Sequence, residues 1–197
     1  KLEELADEAK IPAGVMSFVY GDGKVGDQLA HADIDMLCFT GSTKTGKYLY
    51  TVAAEKFIPA VMEMGGSAPG IIFEDVDLTG VIDTIYGNRF MGSGQMCDGL
   101  KRLIVHKSRY DEVIKLLTEK INAKQIGQAI DPATELGPLV AERQVQALEI
   151  QVEDARAKGA TILTGGKRPT GFDGAYYEPT LLTGVTKDMK VWTEEVF

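Results

Sequence analysis

The chain has 197 residues, of which 44% are hydrophobic and 25% are charged, so its composition is that of a globular and not of a disordered protein. Its net charge of -8, with no basic stripe, argues against a nucleic-acid partner. Two cysteines and two histidines without ligand-like spacing argue against a disulfide framework and a metal site. No apolar run is long enough to span a bilayer, and we therefore predict a soluble, cytoplasmic protein with no membrane partner.

Apolar runs rich in β-branched residues alternate with helical patterns along the chain, which is typical of βαβ units. The predicted fold class is therefore α/β. A flexible junction at Gly65 and Gly66 predicts a domain boundary, which divides the chain into residues 1–64 and 65–197. The elements predicted before the boundary are a helix at 1–10, a strand at 15–19, a loop at 21–26, a helix at 27–30, a strand at 35–39, a turn at 41–46, a helix at 47–56 and an apolar run at 59–64.

The same alternation continues after the boundary. Because the chain begins within a helical pattern and ends without a helix cap or a polar tail, we expect it to be truncated at both ends. The elements predicted in this part are a helix at 78–90, a strand at 102–106, helices at 108–122 and 141–158, a strand at 161–163 and a loop at 165–174; the segments 71–73 and 178–182 follow the junction and the loop without an assigned structure.

Cys97 follows Gly92 and Gly94 and precedes Gly99. A cysteine that only fills a core needs no flexible backbone around it, whereas a thiol presented to a substrate needs a tight turn with free N–H groups. We therefore predict that Cys97 is a nucleophile and that neighbouring N–H groups can bind an oxyanion. Cys38 lies within a predicted strand, and we expect it to pack as a small hydrophobic residue.

Glu63 is a candidate general base, since it lies in an apolar run between Met62 and Met64. Two interpretations remain open: the carboxylate lies on the solvated face of an edge strand, or it is partly buried. Partial burial would raise the pKa of Glu63 toward the range that suits a general base.

The segment from Gly41 to Gly46 joins a predicted strand to a predicted helix, with Ser42 or Thr43 as the N-cap. A helix N-terminus presents unpaired N–H groups, so this turn could hold a phosphate. It is not a P-loop, because Tyr48 follows Gly46 and Lys47 where that motif requires serine or threonine.

Four motifs follow one another along the chain: FTGST at 39–43, EMGG at 63–66, GQMC at 94–97 and EEVF at 194–197. In sequence and in order they resemble the signature segments of the NAD(P)-dependent aldehyde dehydrogenase superfamily. Weaker similarities at 137–139, 165–166 and 177–180 extend the resemblance over nearly the whole chain. Residues 95–102 further resemble members that act on succinate semialdehyde, lactaldehyde or, without phosphorylation, glyceraldehyde 3-phosphate.

The resemblance implies that residues 1–64 are the end of a Rossmann-type cofactor domain and residues 65–197 are part of an α/β catalytic domain. Cys97 would attack an aldehyde to form a thiohemiacetal and then a thioester, and Glu63 would activate the water that hydrolyses the thioester. Met96 and Asp98 would line the substrate pocket. The implied cofactor is NAD or NADP, and the implied partners are a small aldehyde and, in a homodimer or homotetramer, further copies of the protein.

The resemblance also implies cofactor contacts. Ser42 would face the pyrophosphate at the start of the helix, Glu195 would bind the nicotinamide ribose, and Phe197 would pack beside that end of the cofactor. The full set of implied cofactor residues is Gly41, Ser42, Gly23, Gly26, Glu195 and Phe197.

Two alternatives to a hydrolytic dehydrogenase remain. A CoA-acylating aldehyde dehydrogenase would pass the thioester to a thiol and would not need Glu63 as a base. A catalytically silent binding or structural protein could keep the same fold. We expect the isolated chain to be inactive, because residues outside it complete the family's oxyanion hole and adenosine site.

Overall fold

The computed structural model describes residues 1–197 as two compact units, Lys1–Met64 and Gly65–Phe197. Each unit contains a pair of parallel strands together with helices, so the predicted α/β class is confirmed. No helix combines the length and apolar character that a membrane span requires. The roles of the two units in cofactor binding and catalysis remain predictions.

The first unit is built on two parallel strands. Strand β1 (Leu37–Gly41) pairs with β2 (Ala60–Met64). The register sets Thr40 opposite Glu63 and Gly41 opposite Met64. The helix between the strands contributes the buried residues Val52 and Ala53 to the core. The elements of this unit are α1 (Leu2–Glu8), α2 (Gly23–His31), β1 (Leu37–Gly41), α3 (Thr43–Glu55) and β2 (Ala60–Met64).

Several predictions for the first unit are wrong. Helix α3 begins at Thr43 and not at 47, and strand β1 spans Leu37–Gly41 and not 35–39. Residues 15–19 form no strand, because no neighbouring strand pairs with them, and Val15 is 70% exposed. Helix α2 begins at Gly23 and not at 27, because Asp22 caps it by accepting a hydrogen bond from the Lys24 N–H. Cys38 does lie in β1, but it is exposed, since alternation along the strand directs its neighbour Leu37 to the core instead.

The second unit contains two further strand pairs. Strands β3 (Ala68–Ile72) and β4 (Leu100–Val105) are parallel. Strands β5 (Thr161–Thr164) and β6 (Leu181–Thr183) are antiparallel. Short 3-10 helices lie at Met91–Gly94 and Lys107–Arg109. The remaining elements are β3 (Ala68–Ile72), α4 (Val81–Phe90), β4 (Leu100–Val105), α5 (Tyr110–Asn122), α6 (Glu142–Ala157), β5 (Thr161–Thr164), β6 (Leu181–Thr183) and α7 (Lys190–Thr193).

The core of the second unit explains why its helices form where the apolar periodicity predicts them. Helix α5 buries Val113, Leu117 and Ile121, which follow one another at helical spacing on one face. Val113 and Leu117 belong to the same core as Ile82 and Ile85 of α4. This packing fixes α4, and α4 leads directly into the segment that carries Cys97.

Several element boundaries in the second unit differ from the prediction, and one helix was missed. Strand β4 spans Leu100–Val105 and not 102–106, and helix α5 begins at Tyr110 and not at 108. Helix α4 begins at Val81 and not at 78, because Gly80 before it has the left-handed φ of 79°. Strand β6 lies in the unassigned segment 178–182 and begins at Leu181, since Pro179 has no N–H to donate to a ladder. The missed helix is α7, which has only four residues and therefore shows little periodicity.

Candidate active site

Cys97 lies in a sharply turned segment, residues 92–99, which we name the thiol loop. Gly92, Ser93 and Gly94 have φ values of 60°, 59° and 80°, so three consecutive residues are left-handed. Glycine adopts this conformation freely, but for a residue with a Cβ, such as Ser93, it costs roughly 1–2 kcal/mol. The turn reverses the chain after α4 and leaves the Cys97 side chain exposed.

Side-chain hydrogen bonds fix the start of the thiol loop. The Ser93 hydroxyl donates to the carbonyl oxygen of Gly137 at 3.1 Å. Gln95 donates through Nε2 to the Gly92 carbonyl at 3.1 Å and accepts from the Val140 N–H at 2.8 Å. The segment around 137–140 therefore holds the turn from outside.

The end of the thiol loop is bound by Lys101, whose side chain is only 2% exposed. Its Nζ donates to the carbonyl oxygens of Met96 and Cys97, both at 2.9 Å. The same atom lies 3.4 Å from Oε1 of Glu195. Asp98 is exposed beside this contact. Cys97, Met96, Asp98 and Glu195 thus belong to one neighbourhood.

Arg89 provides a second link between the thiol loop and the segment that contains Glu195. It donates to the carbonyl oxygen of Gly94 at 3.2 Å and to that of Val196 at 3.3 Å. Burial lowers the pKa of Arg89, and the nearby charge of Glu195 partly opposes that shift. Even a lowered arginine pKa leaves the side chain cationic at neutral pH.

Gln151 also holds Glu195 and its neighbour Glu194. Nε2 of Gln151 donates to the Glu195 carbonyl at 3.0 Å and to the Glu194 carboxylate at 3.1 Å. Gly65 lies so close that a Cβ there would be 1.9 Å from Oε1 of Glu195. Phe197 borders a small cavity of about 60 Å³ together with Ser93 and other residues. Glu195 is therefore fixed in a tight setting.

In the first unit, the predicted helix cap at Ser42 is present, but the turn is shorter than the predicted 41–46 because residues 43–46 already belong to α3. Ser42 precedes α3 in an extended conformation, and its hydroxyl oxygen accepts a hydrogen bond from the Thr45 N–H at 3.3 Å. Gly41 ends β1, and a Cβ at this position would meet the Phe39 ring at 2.5 Å. A strand, a tight turn and a helix of thirteen residues thus follow directly on one another, which gives the arrangement that can bind an anion at its N–H groups.

The other predicted residues of the first unit are open to solvent. Glu63 is exposed on β2, so the structure favours the solvated alternative for its carboxylate. Gly23 and Gly26 lie on α2, and no atom is within 4 Å of a Cβ built on either residue. Gly23 and Gly26 therefore leave the helix surface bare.

Three residues of this site are absent from the sequence predictions: Lys101, Arg89 and Gln95. Lys101 and Arg89 look like ordinary solvated cations of a strand and of a helix end, and only their tertiary partners distinguish them. Gln95 belongs to a recognised motif and could have been identified as a turn-stabilising residue from that position. The long-range partners themselves leave no local pattern.

Comparison with known proteins identifies relatives along the entire chain. A model of the aldehyde dehydrogenase family matches residues 1–197. The chain is 40% identical to aminoaldehyde dehydrogenase 1, peroxisomal, of Pisum sativum, over 100% of this chain and 40% of that protein. It is 36% identical to succinate-semialdehyde dehydrogenase (NADP+) 1 of Schizosaccharomyces pombe, again over 100% of this chain and 40% of that one.

Solved structures agree with these relatives. The NAD+ complex of an aldehyde dehydrogenase from Bacillus cereus matches with a TM-score of 0.94 and 37% identity, over 98% of this chain and 40% of that chain. The chain thus spans about two fifths of the length of the relatives it matches. The resemblance drawn from the four motifs is confirmed: the chain belongs to the aldehyde dehydrogenase family.

Proposed function

We propose that the protein containing this chain oxidises an aldehyde to a carboxylic acid with NAD or NADP, and that Cys97 is its nucleophile. The observation that carries the proposal is the exposed Cys97 side chain on a turn of three left-handed residues, held by hydrogen bonds from distant segments. A strained turn that is fixed from outside and ends in an exposed thiol is unnecessary for packing and suits the presentation of a nucleophile.

In the first chemical step, the Cys97 thiolate attacks the aldehyde carbon, which forms a C–S bond and a thiohemiacetal oxyanion. The N–H of Cys97 would donate to that oxyanion. The hydride would leave the same carbon, and a dinucleotide bound at the proposed cofactor residues would supply its acceptor. The carbonyl re-forms, and the acyl group remains on Cys97 as a thioester.

Glu63 is proposed to act in the second step. Its exposed carboxylate is accessible to a water molecule, from which it would take a proton as the water oxygen attacks the thioester carbon. The C–S bond then breaks, the carboxylic acid leaves and the Cys97 thiolate is restored. The carboxylate would afterwards return its proton to solvent.

The proposed cofactor contacts fit the chemistry of a dinucleotide. The N-terminus of α3 next to Gly41 and Ser42 offers N–H donors to a pyrophosphate. The bare surface at Gly23 and Gly26 leaves room for a flat ring, and the Glu195 carboxylate can accept from ribose hydroxyls. Phe197 would pack beside the nicotinamide. The names of the relatives include both NAD+ and NADP+, and we propose either cofactor.

The substrate is proposed to be a small aldehyde that reaches Cys97 past Met96 and Asp98. The relatives act, by their names, on aminoaldehydes and succinate semialdehyde, which differ in charge. We further propose a homodimer or homotetramer. We also propose a cytoplasmic location, although the name of one relative includes the word peroxisomal.

Steady-state and single-turnover kinetics of the full-length protein test this function. Cys97→Ser should abolish oxidation of every aldehyde, and normal turnover in that variant would refute the proposal. Glu63→Gln should slow release of the acid while leaving the first reduced-cofactor burst intact. Added coenzyme A should yield no acyl thioester; its formation would favour the acylating alternative.

A further inference from the structure

Lys101 is a buried cation that the proposed reaction does not use. Its ammonium group has three N–H donors, and three acceptors surround it: the carbonyl oxygens of Met96 and Cys97 and the carboxylate of Glu195. Taking an ammonium out of water is costly, so a side chain only 2% exposed persists where all its donors have partners. The three acceptors therefore determine the position of Nζ.

Those acceptors belong to two different parts of the proposed site. Two of them are the backbone carbonyls of the thiol loop that presents Cys97. The third, Glu195, lies 94 residues away in sequence from Lys101, in the segment proposed to hold the nicotinamide ribose. One nitrogen atom thus connects the nucleophile to the cofactor-binding carboxylate.

Arg89 makes a parallel connection, from the carbonyl of Gly94 in the thiol loop to the carbonyl of Val196. Arg89 contacts only backbone atoms there, so it can restrain the distance between the two segments but not the direction of the Glu195 carboxylate. Lys101, unlike Arg89, bonds both the thiol loop and the carboxylate of Glu195.

We propose that Lys101 is a positioning residue, which fixes the thiol loop and the Glu195 carboxylate relative to each other. This inference rests on the proposed function for its meaning in catalysis. It also makes a claim that does not depend on turnover: the reactivity of the Cys97 thiol should respond to a change at Glu195, because Lys101 bonds both the Glu195 carboxylate and the Cys97 carbonyl.

The first test measures the rate at which iodoacetamide alkylates Cys97 in the full-length protein without cofactor. The modified peptide is quantified by mass spectrometry, because Cys38 is also exposed and would react. We expect Glu195→Gln, which removes the charge and keeps the shape, to change the Cys97 alkylation rate at least threefold. The Cys38 rate in the same sample is the internal control. A Cys97 rate that differs from wild type by less than threefold would overturn the proposal.

The second test uses Lys101→Met, with Lys115→Met as the matched control on the exposed surface of α5. We expect Lys101→Met to raise the KM for the dinucleotide about tenfold and to change the Cys97 alkylation rate, whereas Lys115→Met changes neither. A purely structural role would lower the active fraction and leave both quantities unchanged per folded molecule, which would overturn the proposal. If Lys101→Met does not fold, the Glu195→Gln rate decides the question.

The failures of the two proposals are distinguishable. If Cys97→Ser keeps its turnover, the proposed function fails, while the alkylation rates still report on Lys101. If Cys97→Ser is inactive and neither Glu195→Gln nor Lys101→Met alters the alkylation rate or the KM, only the role of Lys101 fails.

Discussion

Replacing Gly65 by alanine should displace the Glu195 carboxylate without removing any side chain. A Cβ on Gly65 would lie 1.9 Å from Oε1 and 2.1 Å from Oε2 of Glu195, whereas ordinary contacts begin at 3.4 Å. The carboxylate must therefore move by about 1.5 Å to regain van der Waals distance. Such a shift takes it away from Nζ of Lys101, which now lies 3.4 Å from Oε1.

The cost follows from the burial of the two partners. Lys101 is 2% exposed and would keep only its two carbonyl acceptors. Removing one partner of a fully buried ion pair costs about 3–5 kcal/mol. Because the Glu195 side chain is 22% exposed and its carboxylate can rotate toward solvent, we expect about 1–3 kcal/mol. For a chain of this size the Tm should fall by on the order of 5 °C.

Guanidinium unfolding followed by tryptophan fluorescence measures this cost, because the single tryptophan, Trp192, lies in α7 of the same unit. Gly66→Ala is the matched control, since nothing lies within 4 Å of a Cβ at Gly66, and it should not destabilise the unit. In a Glu195→Ala background the cost of Gly65→Ala should largely disappear. Equal effects of the two alanines, or full additivity in the double variant, would refute the reasoning.

Three further predictions concern other parts of the chain. Ser42→Ala removes the acceptor for the Thr45 N–H and should destabilise the start of α3 by about 1 kcal/mol, which faster hydrogen exchange at the Thr45 amide would reveal. Asp98→Asn should raise kcat/KM for anionic aldehydes relative to cationic ones in the full-length protein; unchanged ratios would remove Asp98 from the substrate pocket. Hydrogen bonds from Lys124 and the Gln125 N–H lower the pKa of Glu135 below 4.5, so their stabilisation is present above that pH and lost as the pH falls through the lowered pKa. Glu135→Gln should therefore weaken the dependence of Tm on pH between about 5 and 3, and an unaltered slope would contradict it.

Local patterns predicted most of the helices and strands, because their causes lie within a few residues. The N-cap at Ser42 and the apolar spacing of α5 are properties of short segments, and both occur in the structure. The strand predicted at 15–19 failed for the opposite reason. Its residues are apolar enough for a strand, but strand formation depends on a partner that the local sequence does not encode.

The candidate site was predictable as a set of motifs and not as an arrangement. The glycines before Cys97 indicated a turn, and the turn is present. The burial of Lys101 was not predictable, since strand alternation gives a lysine in β4 no reason to face inward. Its partner Glu195 belongs to a recognised motif, but the contact between Lys101 and Glu195 joins residues 94 positions apart and leaves no periodic signal in the sequence.

The motif of the thiol loop is local in sequence, but the conformation of the loop depends on distant residues. Ser93 holds a left-handed conformation that costs roughly 1–2 kcal/mol, and hydrogen bonds that contribute about 0.5–1.5 kcal/mol each offset it. Those bonds join the loop and the helix before it to residues between 44 and 107 positions away. A motif of four letters can therefore indicate a candidate nucleophile, but the conformation that presents Cys97 depends on bonds to the segments at 137–140 and 195–196.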